Sequence, residues 1–420
     1  MAKKAMTNMS DSRSSTNDAW LSEYRAKTIT ANAAVADIKD GAEVEIAGAA
    51  PLVRAALGRK RPEKRSDNGG GIATLSPLRY KHLRDSRQGK HGPDVAIITV
   101  SQPDKNGYCT FGAALTGNKE TASVGRLVIA EVMNTPRMNI RTFGDNFIHV
   151  REIDRFVENT DTADGAITFF KWKEPDDGVK AIARHLTGLI KDGDTIEVGQ
   201  GSVSEAMIGL GVFSERSDLG IHSEQMAVGM IDLVRNGNVT GMRKTINRGK
   251  HVFSIISNEP PENLEFVTMN PMFEQRQRNY CMDPMVCAQH DNFVAINGGL
   301  SVDLLGQITS ESVGSQIVGM AGGLPGFVIG ATMSKGGRAV TVLPATAVNG
   351  TVSRIVPRFA EGVWVTLPYT IADTVITEYG VAELLGKSFR ERAEALIAIA
   401  HPNFRDSLQA EVATLPWARK

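Results

Sequence analysis

This chain offers little on which an extracellular, membrane or nucleic-acid role could be built. Three cysteines in 420 residues, at 109, 281 and 287, are too few and odd in number for a disulfide framework, so the cytoplasm is the expected compartment. Its 47 basic and 47 acidic residues cancel, which argues against binding to nucleic acid or to a membrane surface. No run approaches the ~18 apolar residues of a membrane span. Residues 1–18 are polar and lack the apolar core of a signal peptide; they read as a disordered tail. Cys281, Cys287 and His290 have five and two residues between them and no fourth ligand, so no metal is expected.

What is present is an α/β pattern, in a length that suits two or three domains. The runs VAIITV (95–100), RLVIAEV (126–132), TIEVG (195–199), FVAING (293–298) and AVTVLP (339–344) are almost continuously apolar, as parallel strands covered on both faces should be. A repeat supports two halves. Ile38-Lys39-Asp40-Gly41 followed by Val44-Glu45-Ile46 recurs as Ile190-Lys191-Asp192-Gly193 followed by Ile196-Glu197-Val198, each after a helical segment. A common turn before a strand would give the same match. Glu174-Pro175-Asp176-Asp177 supplies a stop and an N-cap, which places the boundary near 175. The expected halves are 19–175 and 176–420.

One carboxylate is placed to do chemistry. Leu219-Gly220-Ile221 reads as a buried strand, Met226, Met230, Ile231 and Val234 recur at helical spacing, and Glu224 falls on the turn between. Ligands of open α/β sheets bind outside the carboxyl ends of the strands, so a carboxylate there faces a crevice and can act as a nucleophile. A helix N-cap or a solvated acid would occupy the same position. Val198-Gly199-Gln200-Gly201-Ser202 follows a strand and reads as opening a helix, which would aim backbone N–H groups at an anion. It is a poor dinucleotide fingerprint, because Ser204 stands where a third glycine belongs.

The segment LGIHSEQM resembles the catalytic stretch LG-(I/V)-H-T-E-M of the acetyl-CoA hydrolase/transferase family, the class I CoA-transferases. Further stretches are similar to family blocks, among them SQPDKNGYCTFG (101–112), GDNFIHVREID (144–154), QHDNFVAINGGLSVDLLGQI (289–308), SKGGRAV (334–340), TVSRIVP (351–357) and ITEYGVAELLGKSFRERAEALIAIAHPNFR (376–405). The resemblance implies two similar open α/β domains with mostly parallel sheets and the active site between them. It also implies a glutamyl-CoA thioester on Glu224. Gly199, Gln200, Gly201, Ser202 and Val203 would lie on the CoA loop, with Asn297, Gly322, Gly323, Lys335 and Glu378 as further substrate or CoA contacts. The substrates would be an acyl-CoA and a small carboxylate, no cofactor would be tightly bound, and the assembly would be a homodimer or homotetramer.

Three departures qualify this. The family's GGQ-x-DF is replaced by Gly322-Gly323-Leu324-Pro325-Gly326-Phe327, and its INSAxExDL by a stretch in which Ser301 stands for an acid. About forty residues join Ala49 to Val95, roughly half the family's usual length. The first two would leave a less negative acyl pocket and shift acceptor preference. An acyl-CoA hydrolase on the same scaffold and a non-catalytic CoA-binding paralogue remain open. Gly386-Lys387-Ser388 mimics the end of a phosphate loop inside what reads as a helix, EYGVAELLGKSFRERA.

Overall fold

The structure, a computed structural model, describes residues 19–47, 50–60, 92–115, 117–160, 174–415 and 417. The tail read over 1–18 and most of the stretch joining Ala49 to Val95 lie outside the described residues. What is described groups into two compact units. The first takes residues up to 160 together with Pro260–Arg278; the second takes those from 174 to Glu259 and from Asn279 onward. Residues 260–278, read from sequence as part of a continuous second half, thus group with the first unit.

In the first unit β1 (Val44–Ile46) leads into helix α1 (Pro51–Lys60), and the sheet runs in the order β1, β2 (Val95–Val100), β3 (Leu127–Val132), β4 (Arg155–Glu158), all parallel. Every residue of β2 is buried, which is why the sequence shows an unbroken apolar run and no alternation. The fully buried Glu131 of β3 accepts the Asn159 side-chain amide at 2.8 Å and the backbone N–H groups of Leu52 and Val53 at the start of α1. It thereby satisfies a side-chain amide and two helix-end donors that have no partner within the helix.

The second unit opens with α2 (Asp177–Thr187). Asp176 caps it by accepting Val179 N–H at 2.9 Å, as the acidic run predicts. Then come β5 (Thr195–Val198), β6 (Gly220–Ile221), β7 (Gln225–Met226), α3 (Met230–Arg235), β8 (Ile255–Ile256), α4 (Pro284–Cys287), β9 (Phe293–Gly298), α5 (Leu324–Met333), β10 (Arg338–Val342), β11 (Thr374–Thr377), β12 (Gly380–Glu383) and α6 (Phe389–Ala398). Six of the strands form one sheet in the order β12-β11-β10-β9-β5-β6, with only β12 antiparallel. Phe293, Phe327, Leu343 and Leu396 belong to one buried apolar cluster beneath it, each side chain contributing roughly 1.5–3 kcal/mol.

The repeated Lys-Asp-Gly turns are alike: Gly41 and Gly193 take φ of 84° and 81°, left-handed conformations that only glycine adopts cheaply. Two local readings change. Within EYGVAELL, Gly380–Glu383 forms the edge strand β12, and Ser388 of the apparent phosphate motif caps α6 by accepting Glu391 N–H. After Glu224 the chain first makes the short strand β7; Gly229, at φ 89°, precedes the helix α3. Helical spacing appeared to begin at Met226 because one buried residue in β7 continues the apolar phase of α3.

Candidate active site

Glu224 sits just beyond the carboxyl end of β6, half-buried, on a backbone clamped on both sides. Its carbonyl accepts the N–H groups of Ser254 at 2.8 Å and Ile255 at 3.0 Å, and the Ser223 N–H donates to Val252 O at 3.0 Å. The parallel pairing of β7 with β8 continues this ladder. Beneath it, the buried Lys244 ammonium donates to Ile221 O at 2.8 Å and Lys250 O at 2.7 Å. A side chain held by such a backbone loses little freedom when it reacts.

His222, two residues earlier, is fully buried, with Nε2 at 2.9 Å from Cys281 O and its ring centroid 4.7 Å from that of His290. Burial, followed by the charge of Lys244, pushes the imidazole down to about 3, so it is neutral at physiological pH. Its observed polar contact is with backbone, at the Cys281 carbonyl.

A second carboxylate faces this turn. Glu197, 1% exposed in β5, accepts Asn297 Nδ2 at 2.7 Å. Burial pushes its carboxyl up to about 8; the charge of Glu224 adds to the rise, and the hydrogen bond from Asn297 opposes it. Asn297 is positioned by register. Val198 pairs with Ile296, so Gly199 stands opposite Asn297, and a Cβ on Gly199 would overlap Asn297 Oδ1. The amide is thus wedged with Oδ1 over Gly199 and one N–H on Glu197. No acceptor for its second N–H is found among the described residues.

The loop Gly199 to Val203 begins at this edge, and its first glycine belongs to the sheet. Gly199 N–H donates to Ile296 O at 2.8 Å, inside the sheet, so glycine is required there for the approach of Asn297. Gln200 and Ser202 are exposed, Gly201 and Val203 half-buried, and Ser204 Oγ donates back to Gly199 O at 2.7 Å. The helix that follows is the single turn Ala206–Gly209, too short for an appreciable dipole. Behind the loop, Glu205 is 4% exposed and accepts the Gln225 side-chain amide, with burial raising its carboxyl above the ordinary range.

Gly322 and Gly323 lie at the start of α5, which runs back toward the beginning of β10. Gly322 has φ 54°, and Gly323 has no room for a side chain: a Cβ would come within 2.6 Å of Phe327 and 2.9 Å of Met282. Glu311 fixes the loop by accepting Ala321 N–H at 3.1 Å. Glu378, beyond the carboxyl end of β11, accepts Ala345 N–H at 2.7 Å. Its charge faces Arg354, whose guanidinium donates to Leu300 O at 3.0 Å and Thr346 O at 3.2 Å. Glu224, Gly199 to Val203, Asn297, Gly322, Gly323 and Glu378 therefore all occupy the carboxyl side of one sheet. Lys335 does not. It precedes β10 at the amino ends of the strands, 87% exposed, where its carbonyl receives Asn292 N–H.

The chain matches the acetyl-CoA hydrolase/transferase N-terminal domain over residues 78–165 and the C-terminal domain over 261–412. It is 43% identical over 343 residues to a 4-hydroxybutyrate coenzyme A transferase of Clostridium kluyveri, covering 81% of this chain and 77% of the relative. The chain belongs to the acetyl-CoA hydrolase/transferase family. Its fold agrees: RipA from Yersinia pestis superposes with a TM-score of 0.79 at 30% identity, and a 4-hydroxybutyrate CoA-transferase from Porphyromonas gingivalis with 0.78 at 32%, each over 94% of this chain and 99% of the other. As a member of the acetyl-CoA hydrolase/transferase family the chain carries Glu224 and the Gly199 loop between its two matched stretches.

Sequence reading missed Glu197, Glu205 and Arg354 as members of the site. The signal for Glu197 was an acid in the middle of an apolar strand, but it was absorbed into the repeat. The departures at 324 and 326 also look different in place. Leu324 joins the apolar cluster, and a Cβ on Gly326 would overlap Met282 O, so these positions pack a helix start.

Proposed function

We propose that this protein transfers CoA from an acyl-CoA to a small carboxylate through a thioester on Glu224. The observation that carries the reading is a carboxylate on a clamped turn at the carboxyl edge of the sheet, with Asn297, one of its N–H groups on Glu197, on the same side of that sheet. The Glu224 carboxylate attacks the thioester carbonyl, giving an acyl-glutamyl anhydride and CoA thiolate. The thiolate attacks the glutamyl carbonyl and releases the donor carboxylate, which leaves glutamyl-CoA. The acceptor carboxylate then attacks that thioester, forming a new anhydride and freeing the thiolate again. Attack of the thiolate on the acceptor's acyl carbon yields the new acyl-CoA and regenerates Glu224.

Each attack puts negative charge on a carbonyl oxygen. Asn297 Nδ2–H is the donor for it, and one such donor is worth about 3–4 kcal/mol of barrier. The balance of bonds needs neither a metal nor a redox group. Gly199 to Val203 and Gly322 line the CoA side of this reading, with Glu378 and Arg354 toward the acceptor. A cytoplasmic homodimer or homotetramer is the assembly we attach to it. No helix among the described residues is long and apolar enough to cross a membrane.

The test is incubation with acyl-CoA and no acceptor, followed by intact mass and peptide mapping. The expected product is protein carrying CoA in thioester linkage on the Glu224 peptide, absent from Glu224→Gln. CoA on another residue, or turnover with no covalent species under single-turnover conditions, sinks the mechanism.

A further inference from the structure

Glu197 has no place in the reaction just described, yet it is the most deeply buried acid of the site. It lies in the middle of β5, and its side chain receives the Asn297 amide. No cation is paired with it among the described residues. The charge of Glu224, on the turn after β6, acts on it, and its own charge acts on Cys287 of α4. Two buried groups, Glu197 and Cys287, and the half-buried Glu224 resist ionising together, because each anion raises the cost of the next.

We infer that Glu197 is a positioning residue that works as the neutral acid: it keeps the corner down to the single negative charge on Glu224 and holds Asn297 in line for the substrate oxygen. This rests on the Glu224 mechanism above for its catalytic consequence, but not for its protonation. With its proton on one oxygen, the carboxyl still offers the other to Asn297 Nδ2, so the observed hydrogen bond is retained in the neutral form. Ionised, it would add a second anion where the nucleophile attacks and where the carbonyl oxygen of the substrate becomes negative. The neighbours leave the assignment clear. Burial raises the Cys287 thiol well above its usual value, and the buried His222 and His290 are held neutral by burial. Lys244 donates to two backbone carbonyls, and Asn297 does not titrate. Burial brings Glu197 into the range between pH 7 and 9.

Two measurements decide it. In the free protein labelled with carbon-13 at glutamate side-chain carboxyls, the resonance lost in Glu197→Gln should titrate with a midpoint near 8, and that midpoint should drop in Glu224→Gln. A midpoint in the ordinary carboxylate range overturns the inference, whatever the protein catalyses. In the second arm the rate of adduct formation on Glu224 is followed from pH 6 to 9.5. The parent should lose about tenfold per unit above pH 8. Glu197→Ala should lower kcat about tenfold or more with KM little changed, since Asn297 loses its anchor. Glu197→Gln, which keeps the shape and is permanently neutral, should recover most of that loss and show no alkaline fall. The same alkaline fall in Glu197→Gln, or a Gln variant as impaired as Ala at every pH, overturns it. If the titration is found but no adduct forms in the parent, the glutamyl mechanism is what fails.

Discussion

Residue by residue, the site is held by packing constraints as much as by polar contacts. Glu224 has its backbone fixed by Ser254 and Ile255, so shortening it by one methylene should misplace the carboxylate without freeing it. Glu224→Gln should lower kcat by about a thousandfold or more, and Glu224→Asp nearly as far, with thermal stability unchanged in both. Steady-state turnover beside a melting curve checks this; a stable Asp variant with near-parental kcat contradicts it. Gly199→Ala tests the opposing wall. Its Cβ displaces Asn297, so kcat should fall by about 10²–10³ while KM for CoA thioester moves little. A rise in KM alone would return Gly199 to the CoA-binding role that the sequence suggests.

Among elements, strands were the most legible and their chemistry the least. VAIITV and FVAING coincide with β2 and β9 because a parallel strand covered on both faces leaves one plain signature. Register was not legible, and register is what sets Asn297 against Gly199 and brings its amide to Glu197. A glycine after a strand reads as ligand-facing, although here the close neighbour is a side chain from the next strand. Helix α5 gives a prediction at this scale. Restoring the family acid by Gly326→Asp drives a side chain into Met282 O, so the expected outcome is overpacking of about 1–3 kcal/mol, seen as a lower Tm, and no specific change in acceptor ratio. Ser301→Glu is the cleaner probe. Ser301 Oγ donates to Arg354 O at 2.7 Å, so an acid there meets the Arg354 and Glu378 corner and should weaken dicarboxylate use relative to monocarboxylates in kcat/KM.

For the whole molecule, the two-half organisation shows how far a repeat can be trusted. The Lys-Asp-Gly turns agree in conformation, and each unit contains a buried glutamate bonded to an asparagine two residues past its partner on the neighbouring parallel strand, Glu131 with Asn159 and Glu197 with Asn297. In the first unit that glutamate receives two helix amides as well; in the second it meets another acid. Sequence identity of motif therefore carried the fold but not the function. The buried histidines make a molecule-wide prediction. His290 is held far below the usual imidazole range by burial, while in the unfolded chain it binds a proton near pH 6.5. As pH falls below 6.5 the unfolded state takes up that proton and the folded state does not, so stability declines by about 1.4 kcal/mol per unit for this residue. His290→Phe, packing against Phe293, should flatten the fall of Tm between pH 6.5 and 4.5. An unchanged slope would mean that His290 is protonated in the fold.

The absent carbon atom at position 199 leaves a mark that extends beyond this protein. Where relatives carry any residue larger than glycine there, the partner across the strands must shrink below asparagine, and the donor would have to come from elsewhere. The two positions should therefore change together in inheritance, and their joint identity would sort members that keep this catalytic corner from those that have only the scaffold.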